Sequence, residues 1–266
     1  MRLEGKTAVI IGAGQSPGDG IGNGRATAIR FGQEGAKVLA VDRNIESARE
    51  TAKLVTREGA ECLTFEADVT HDASLAEAIQ FAHDTWGRID ILDNNVGVSV
   101  GGGDQPLSQI TEETFDRITA INLRGTIMTC KHVVPIMCKQ HSGVIINISS
   151  MAAWVDFPLV AYKTTKAGMI AFTQQLALDN APYGVRANVI LPGLMNTPMA
   201  VDTRVRATGK TREEIVAQRD AQVPLRGKMG SAWDVANAAL FLASDEAQFI
   251  TGIALPVDGG ALARRG

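Results

Sequence analysis

Short apolar runs alternating with longer segments constrain this chain more than any other feature. TAVII (7–11), KVLAVD (37–42), LTFEAD (63–68), IDILDNN (89–95), VIINIS (144–149), RANVIL (186–191) and IALPV (253–257) are each of strand length, and most are apolar almost throughout. A strand that is apolar on both faces must be covered from both sides, which is the situation of a parallel sheet clothed in helices. The intervening stretches, such as 25–34, 47–58 and 74–86, are long enough for crossover helices. The expected architecture is α/β: a doubly wound, seven-stranded parallel sheet forming a single domain over 1–266. A chain of 266 residues with 45% hydrophobic composition can bury one such core. The stretch 199–222 is more polar and rich in arginine, and a lid over about 195–222 is expected there.

Charge excludes some partners. A net charge of −3 and a pI near 5.8 provide no basic field for a phosphate backbone, so no nucleic-acid partner is expected. Cys62, Cys130 and Cys138 are odd in number and include no C-x-x-C pair, which points away from a disulfide framework or a metal site and towards a reducing, cytoplasmic setting. The opening residues MRLEGKT lack the apolar core of a signal peptide, and no apolar stretch reaches membrane-spanning length, so no membrane association is expected.

In open sheets of this kind ligands gather at the carboxyl ends of the strands. The first run is followed by GAGQSPGDGIGNGRATA, with glycines at 12, 14, 18, 20, 22 and 24. Glycine lets backbone amides approach a pyrophosphate, and the helix that follows directs its positive end at it. Gly12, Gln15, Ile21, Gly22 and Gly24 are the candidate phosphate cradle; a plain Gly-rich surface loop is the bland alternative. Asp42 ends the second run, where a carboxylate accepts hydrogen bonds from both ribose hydroxyls and repels a 2′-phosphate, so NAD is expected over NADP. Arg43 beside it argues the other way. Asp68 and Val69 close the third run and are candidates for the adenine edge, although a carboxylate at the start of a helix also has a purely structural use.

Tyr162 and Lys166 stand four apart in YKTTK, shortly after the serine pair that ends VIINISS at Ser150. On a helix both side chains share a face. A free phenol titrates near ~10 and is a poor base at neutral pH. A neighbouring ammonium favours the phenolate, and bringing the phenol to about 7 takes roughly 4 kcal/mol. By itself the pair is usually no more than a surface contact, so its context decides.

That context resembles the short-chain dehydrogenase/reductase family over essentially the whole chain. The resemblance rests on the glycine loop, Asp42, NNVG from Asn94 to Gly97, Asn122 in INLRG, NISS, Tyr162 with Lys166, PGLMNTPM from Pro192, and the terminal FITGIALPVDGG. It implies a Rossmann fold and an oxidoreductase that interconverts a secondary alcohol and a ketone. Tyr162 would then be the general acid-base, and Ser150 would polarise the substrate oxygen. Lys166 would bind the nicotinamide ribose and lower the phenol's pKa, while Asn122 would hold a relay water at a helix kink. Asn95, Gly97, Pro192, Gly193 and Thr197 join the cofactor contacts. Val98, Trp154, Val155, Phe157, Leu194 and Met195 form the expected substrate wall, suited to a hydrophobic or aromatic alcohol or ketone. No metal is required, and a homotetramer is implied.

Three departures from the family pattern stand out. Ile11 replaces the usual threonine and the glycine loop carries about six extra residues, so either Gly20-Ile21-Gly22 or Gly22-Asn23-Gly24 opens the helix, the latter being preferred. Ser150 lies one position closer to Tyr162 than is usual, which leaves Ser149 as an alternative. Val96 replaces an alanine. The competing functions are an NADPH-dependent 3-ketoacyl reductase, an epimerase or dehydratase on the same scaffold, and a non-enzymatic dinucleotide-binding subunit.

Overall fold

The computed structural model describes residues 1–264. Its seven parallel strands are β1 (Thr7–Ile11), β2 (Lys37–Asp42), β3 (Cys62–Glu66), β4 (Ile91–Asn94), β5 (Gly143–Ile148), β6 (Val185–Pro192) and β7 (Ala254–Val257). Their order in the sheet is β3-β2-β1-β4-β5-β6-β7. The sequence therefore locates every strand. The third ends at Glu66 rather than Asp68, because the Asp68 side chain turns back to accept the Thr70 N–H at 2.8 Å and so closes a turn in place of extending the ladder.

Alternate residues of each strand feed opposite layers, as the two-residue period of a strand requires. Ala8, Ile10, Val38 and Ala40 face a core shared with α1 (Asn23–Gln33), α2 (Ile45–Arg57) and α9 (Ala232–Ala243). Val9, Ile11, Leu39 and Val41 face the other side, against α3 (Asp72–Trp86), α5 (Gly125–Gln140) and α6 (Val160–Asn180). The chain reverses direction in sheet order between β3 and β4, one crossover continuing outward from β1 on each side. A crevice therefore opens above the carboxyl ends of β1 and β4.

Two local features prepare the site. Between α4 (Glu112–Thr119) and α5 the helix widens into a π turn at Ala120–Arg124 with Asn122 at its middle, fully buried. The polar stretch after β6 folds into two short helices, α7 (Asp202–Thr208) and α8 (Arg212–Asp220). Thr211 and Glu214 close the start of α8 with a reciprocal capping box.

Candidate active site

The crevice holds a cleft of about 330 Å³ lined by the glycine loop, the ends of β2, β3 and β4, and the segment after β6. Gly12 adopts φ +85°, and a Cβ there would lie 2.8 Å from Val96 Cγ2. A Cβ on Gly24 would run into the Gly12 carbonyl oxygen, so the helix can approach the strand only as glycine. Gly22 is the N-cap of α1, which begins at Asn23. The backbone N–H groups of Asn23, Gly24 and Arg25 have no acceptor among the described residues, and Asn23 and Gly24 line the cleft at the positive end of the helix.

Gln15 supports this opening by accepting the Gly22 N–H at 3.1 Å. Asp42 sits at the end of β2 with both oxygens anchored: Oδ2 accepts the Gly14 N–H and Oδ1 the Asn44 N–H, each at 2.9 Å. Asp68, Val69, Asn95, Gly97 and Thr197 all line the cleft. Burial works against the Asp68 charge, but hydrogen bonds from Thr70 and the neighbouring His71 and Arg43 outweigh it and hold the carboxyl below its ordinary value.

At the inner end of the crevice, β5 delivers Ser149 and Ser150, and α6 delivers Tyr162 and Lys166. Ser149 is buried and donates to the Lys166 carbonyl at 2.7 Å, so it is spent on the backbone. Ser150 instead lies beside the Tyr162 phenol and stabilises its ionised form. Lys166 is buried on the same helix face as Tyr162. Its Nζ stands 5.8 Å from the phenol ring centroid and donates to the Ile148 carbonyl at 2.7 Å. Burial without a counter-charge pulls this ammonium down to about 7. Gly97 gives it room, since a Cβ there would come within 3.1 Å of Nζ. Asn122 uses its side chain as a clasp: Oδ1 accepts the Val98 N–H at 2.8 Å and Nδ2 donates to the Val98 carbonyl at 2.9 Å.

Two buried networks fix α6. Asn94 Nδ2 donates to Asn147 Oδ1 at 2.8 Å, and Asn147 Nδ2 donates to Thr173 Oγ1 at 2.9 Å, which ties β4 and β5 to α6. The second network centres on Asp104, which the sequence reading does not single out. Its carboxylate accepts the Ala161 N–H at 3.1 Å and the Tyr162 N–H at 2.7 Å. It thereby caps a helix whose own N-cap residue, Leu159, has no side chain able to do so.

Comparison with known proteins agrees with this geometry. The family model described as Enoyl-(Acyl carrier protein) reductase matches residues 18–261. A 2,5-dichloro-2,5-cyclohexadiene-1,4-diol dehydrogenase of Sphingobium indicum is 37% identical over 262 residues, 97% of each chain. A 3-oxoacyl-(acyl-carrier-protein) reductase of Thermotoga maritima is 34% identical over 261 residues, 98% of this chain and 99% of that protein. A solved short-chain dehydrogenase/reductase of Burkholderia xenovorans superposes with a TM-score of 0.93 at 41% identity, covering 100% of this chain and 99% of that one. The chain belongs to the short-chain dehydrogenase/reductase family. It is an enzyme acting on CH–OH groups with a nicotinamide dinucleotide.

The cleft of this dehydrogenase/reductase fits that cofactor on its own chemistry. A backbone cradle that tolerates only glycine lies under free helix-start N–H groups, and the buried Asn23 Oδ1 and Asn95 Oδ1 beside it have no partner among the described residues. Other expected contacts fall outside the cleft. Ile21 packs against the cluster of Ala26, Ala232 and Ala236, and Asn23, two residues on, lines the cleft instead. Pro192 and Gly193 lie at the end of β6, where the Gly193 N–H is held by the Val257 carbonyl at 2.9 Å.

The expected substrate wall divides. Phe157 packs against the Tyr162 ring, centroids 5.7 Å apart. Val98 borders the cleft. Val155 turns its carbonyl to Lys163, Leu194 is half-buried, and Trp154 is 51% exposed. Met195 is not wall: it is 4% exposed, belongs to the sheet core and packs its sulfur against Gly230. Burial leaves the Tyr162 phenol above its ordinary value, and the groups opposing that rise are Ser150, Arg204 and Arg219.

The six extra residues of the glycine loop are held down by the segment after β6. Arg206 Nη1 donates to the Pro17 carbonyl at 3.2 Å, and Arg212 Nη2 donates to the Asp19 carbonyl at 3.4 Å and to Asn196 Oδ1 at 2.9 Å. Arg212 also pairs with Asp202 at 3.3 Å. Among the described residues no His, Cys, Asp and Glu cluster could hold a metal ion, and no helix is long and apolar enough to cross a membrane. The three cysteines are free thiols.

Proposed function

We propose that this enzyme interconverts a secondary alcohol and a ketone with NAD(H), and that Tyr162 carries the proton. The observation that supports the reading is the half-buried Tyr162 phenol, flanked by Ser150 and sharing a helix face with Lys166, at the inner end of the dinucleotide crevice. The bound nicotinamide supplies the hydride acceptor or donor. In ketone reduction Tyr162 gives its proton to the carbonyl oxygen as charge develops there; in oxidation it takes the hydroxyl proton back. Ser150 donates to the same oxygen, a preformed donor that costs little reorganisation. Lys166, titrating at about 7, holds the ribose side of the site, and Asn122 anchors the π turn through which a water relays protons from Lys166.

Asp42 carries the preference for NAD. Its oxygens are fixed by two backbone N–H groups at the ribose position, where a 2′-phosphate would meet a carboxylate. The NADPH-dependent 3-ketoacyl reductase is the second reading, favoured by the Thermotoga maritima relative and by exposed Arg43 at the cleft rim. We further propose that 195–222 acts as a lid and that the enzyme is a cytoplasmic homotetramer, with exposed Leu178 and Phe249 available for subunit contacts.

The test is turnover followed at the reduced-nicotinamide absorbance over a panel of secondary alcohols and ketones with each dinucleotide. Tyr162→Phe should lower kcat by about 10²- to 10⁴-fold with dinucleotide affinity retained. Unchanged turnover in that variant would remove Tyr162 from the chemistry.

A further inference from the structure

Arginines in this protein usually have partners. Buried Arg25 donates from Nε to Thr51 Oγ1 at 2.9 Å and from Nη2 to the Ser47 carbonyl and hydroxyl at 3.1 Å each, and it pairs with Glu50 at 3.0 Å. Half-buried Arg186 spends its guanidinium on the carbonyls of Ile250, Leu242 and Ser244. These are structural arginines, with donors matched to acceptors.

Arg204 on α7 and Arg219 on α8 are different. Arg219 is only 9% exposed, and its sole hydrogen bond among the described residues runs from Nε to the Met229 sulfur, a weak acceptor, at 3.3 Å. Arg204 is half-buried and makes one hydrogen bond among the described residues, from Nη1 to the Ala200 carbonyl at 2.7 Å. Neither guanidinium has a carboxylate within 4.0 Å among the described residues. The acids nearest in sequence are engaged elsewhere: Asp202 pairs with Arg212, and Asp220 accepts the Met229 N–H at 2.8 Å.

The two charges lie close enough to act on each other and on the Tyr162 phenol. Burial lowers both guanidiniums, Arg219 to about 10, where proximity to Arg204 adds to the effect. Both draw the phenol down against its own burial. Two like charges that are partly shielded from water, with most of their donors unmatched by protein acceptors, are stabilised when an anion joins them.

We propose that Arg204 and Arg219 anchor an oxyanion of the substrate, so that the secondary alcohol or ketone handled at Tyr162 carries a carboxylate or sulfonate. This rests on the Tyr162 reading only for where the reacting carbon sits. The planar forks suit a bidentate oxyanion, and the Phe157 side of the site suits an apolar body between the two ends. The hydrophobic or aromatic substrate expected from the sequence thus gains an acidic terminus. Because both arginines belong to α7 and α8, anion binding would also draw the polar segment onto the site.

Binding can be measured apart from turnover. The melting temperature of the chain with NAD⁺ is followed against benzoate, 3-phenylpropionate and benzenesulfonate, with benzamide and 3-phenylpropionamide as uncharged twins. The acids should stabilise saturably and the amides should not. Arg204→Gln and Arg219→Gln should each weaken the half-saturating concentration about tenfold or more, and Arg219→Lys should recover part of the loss. Melting without ligand checks that each variant is folded; Arg219→Lys supports the same comparison if the glutamine variant is not. Equal stabilisation by acids and amides, an acid effect that survives both substitutions, or no acid effect at all would overturn the anchor. Tyr162→Phe separates the two ideas: arginine-dependent acid binding with normal turnover in that variant defeats the tyrosine reading alone, and a dead variant with no acid binding in the native chain defeats the anchor alone.

Discussion

Asp104 Oδ2 accepts the backbone N–H of Tyr162 at 2.7 Å. The loop after β4 thus caps α6 at the very turn that presents the phenol, and a carboxylate there satisfies two N–H groups that Leu159 cannot reach. Asp104→Ala should cost about 1 kcal/mol of stability, and Asp104→Asn less. Because the cap sets where the phenol sits, kcat should fall by about tenfold or more while dinucleotide affinity changes little. Steady-state kinetics beside a dinucleotide titration would check this; equal losses in both would make Asp104 merely structural.

Asp42 leads to a prediction about cofactor choice. If Asp42 holds the ribose as proposed, Asp42→Ala removes the acceptor for its hydroxyls and the charge that repels a 2′-phosphate, leaving Arg43 at the rim. The ratio of kcat/KM for NAD over NADP should drop by about tenfold or more, through weaker NAD use and stronger NADP use together. The substitution also releases the Gly14 and Asn44 N–H groups, so some loss of stability should accompany it.

Arg212 joins the glycine loop to the α7–α8 segment through Asp19, Asn196 and Asp202. Arg212→Ala should loosen both ends at once. The expected outcome is a rise of a few-fold in KM for dinucleotide and substrate alike, with faster amide exchange over 15–21 and 195–222. A change confined to one ligand would show that the loop and the helices work independently.

Asp93, wholly buried in β4, makes stability depend on pH. Burial raises its carboxyl from an ordinary 3.8 to about 8, opposed by the Asn95 amide that donates to it at 2.6 Å. Between those values the folded chain holds a proton that the unfolded chain has released. The stabilisation from this group is therefore complete below about pH 4 and is lost as pH rises through about 8. Asp93→Asn is neutral throughout, so its melting temperature should fall less between about pH 5 and pH 8 than that of the native chain. Parallel melting curves would disprove the assignment.

Much of this was legible in the chain itself. Every strand appears as an apolar run, since a strand buried on both faces leaves that trace directly in composition. The i, i+4 spacing of Tyr162 and Lys166 put both on one face of α6, and Gly22-Asn23-Gly24 opens α1 as preferred. That the Met195 and Ile21 side chains turn to the core was not legible, because an apolar side chain next to a site reads the same whether it faces ligand or core. Which charges act on the Tyr162 phenol was hidden for a different reason. Helical spacing gives proximity, but how strongly a charge acts depends on its desolvation and on which other charges the fold brings near.

Sequence alone determined the layered sheet, the crevice and the identity of the groups at its inner end, because those follow from local periodicity and from residue types at short spacing. Tertiary structure alone decided that Asp104 caps α6, that the long glycine loop is fastened to α7 and α8, and that Arg204 and Arg219 act on the Tyr162 phenol. Each of those contacts joins residues tens of positions apart. Their partners are chosen by how the layers pack, and nothing in the local pattern of the chain records that choice.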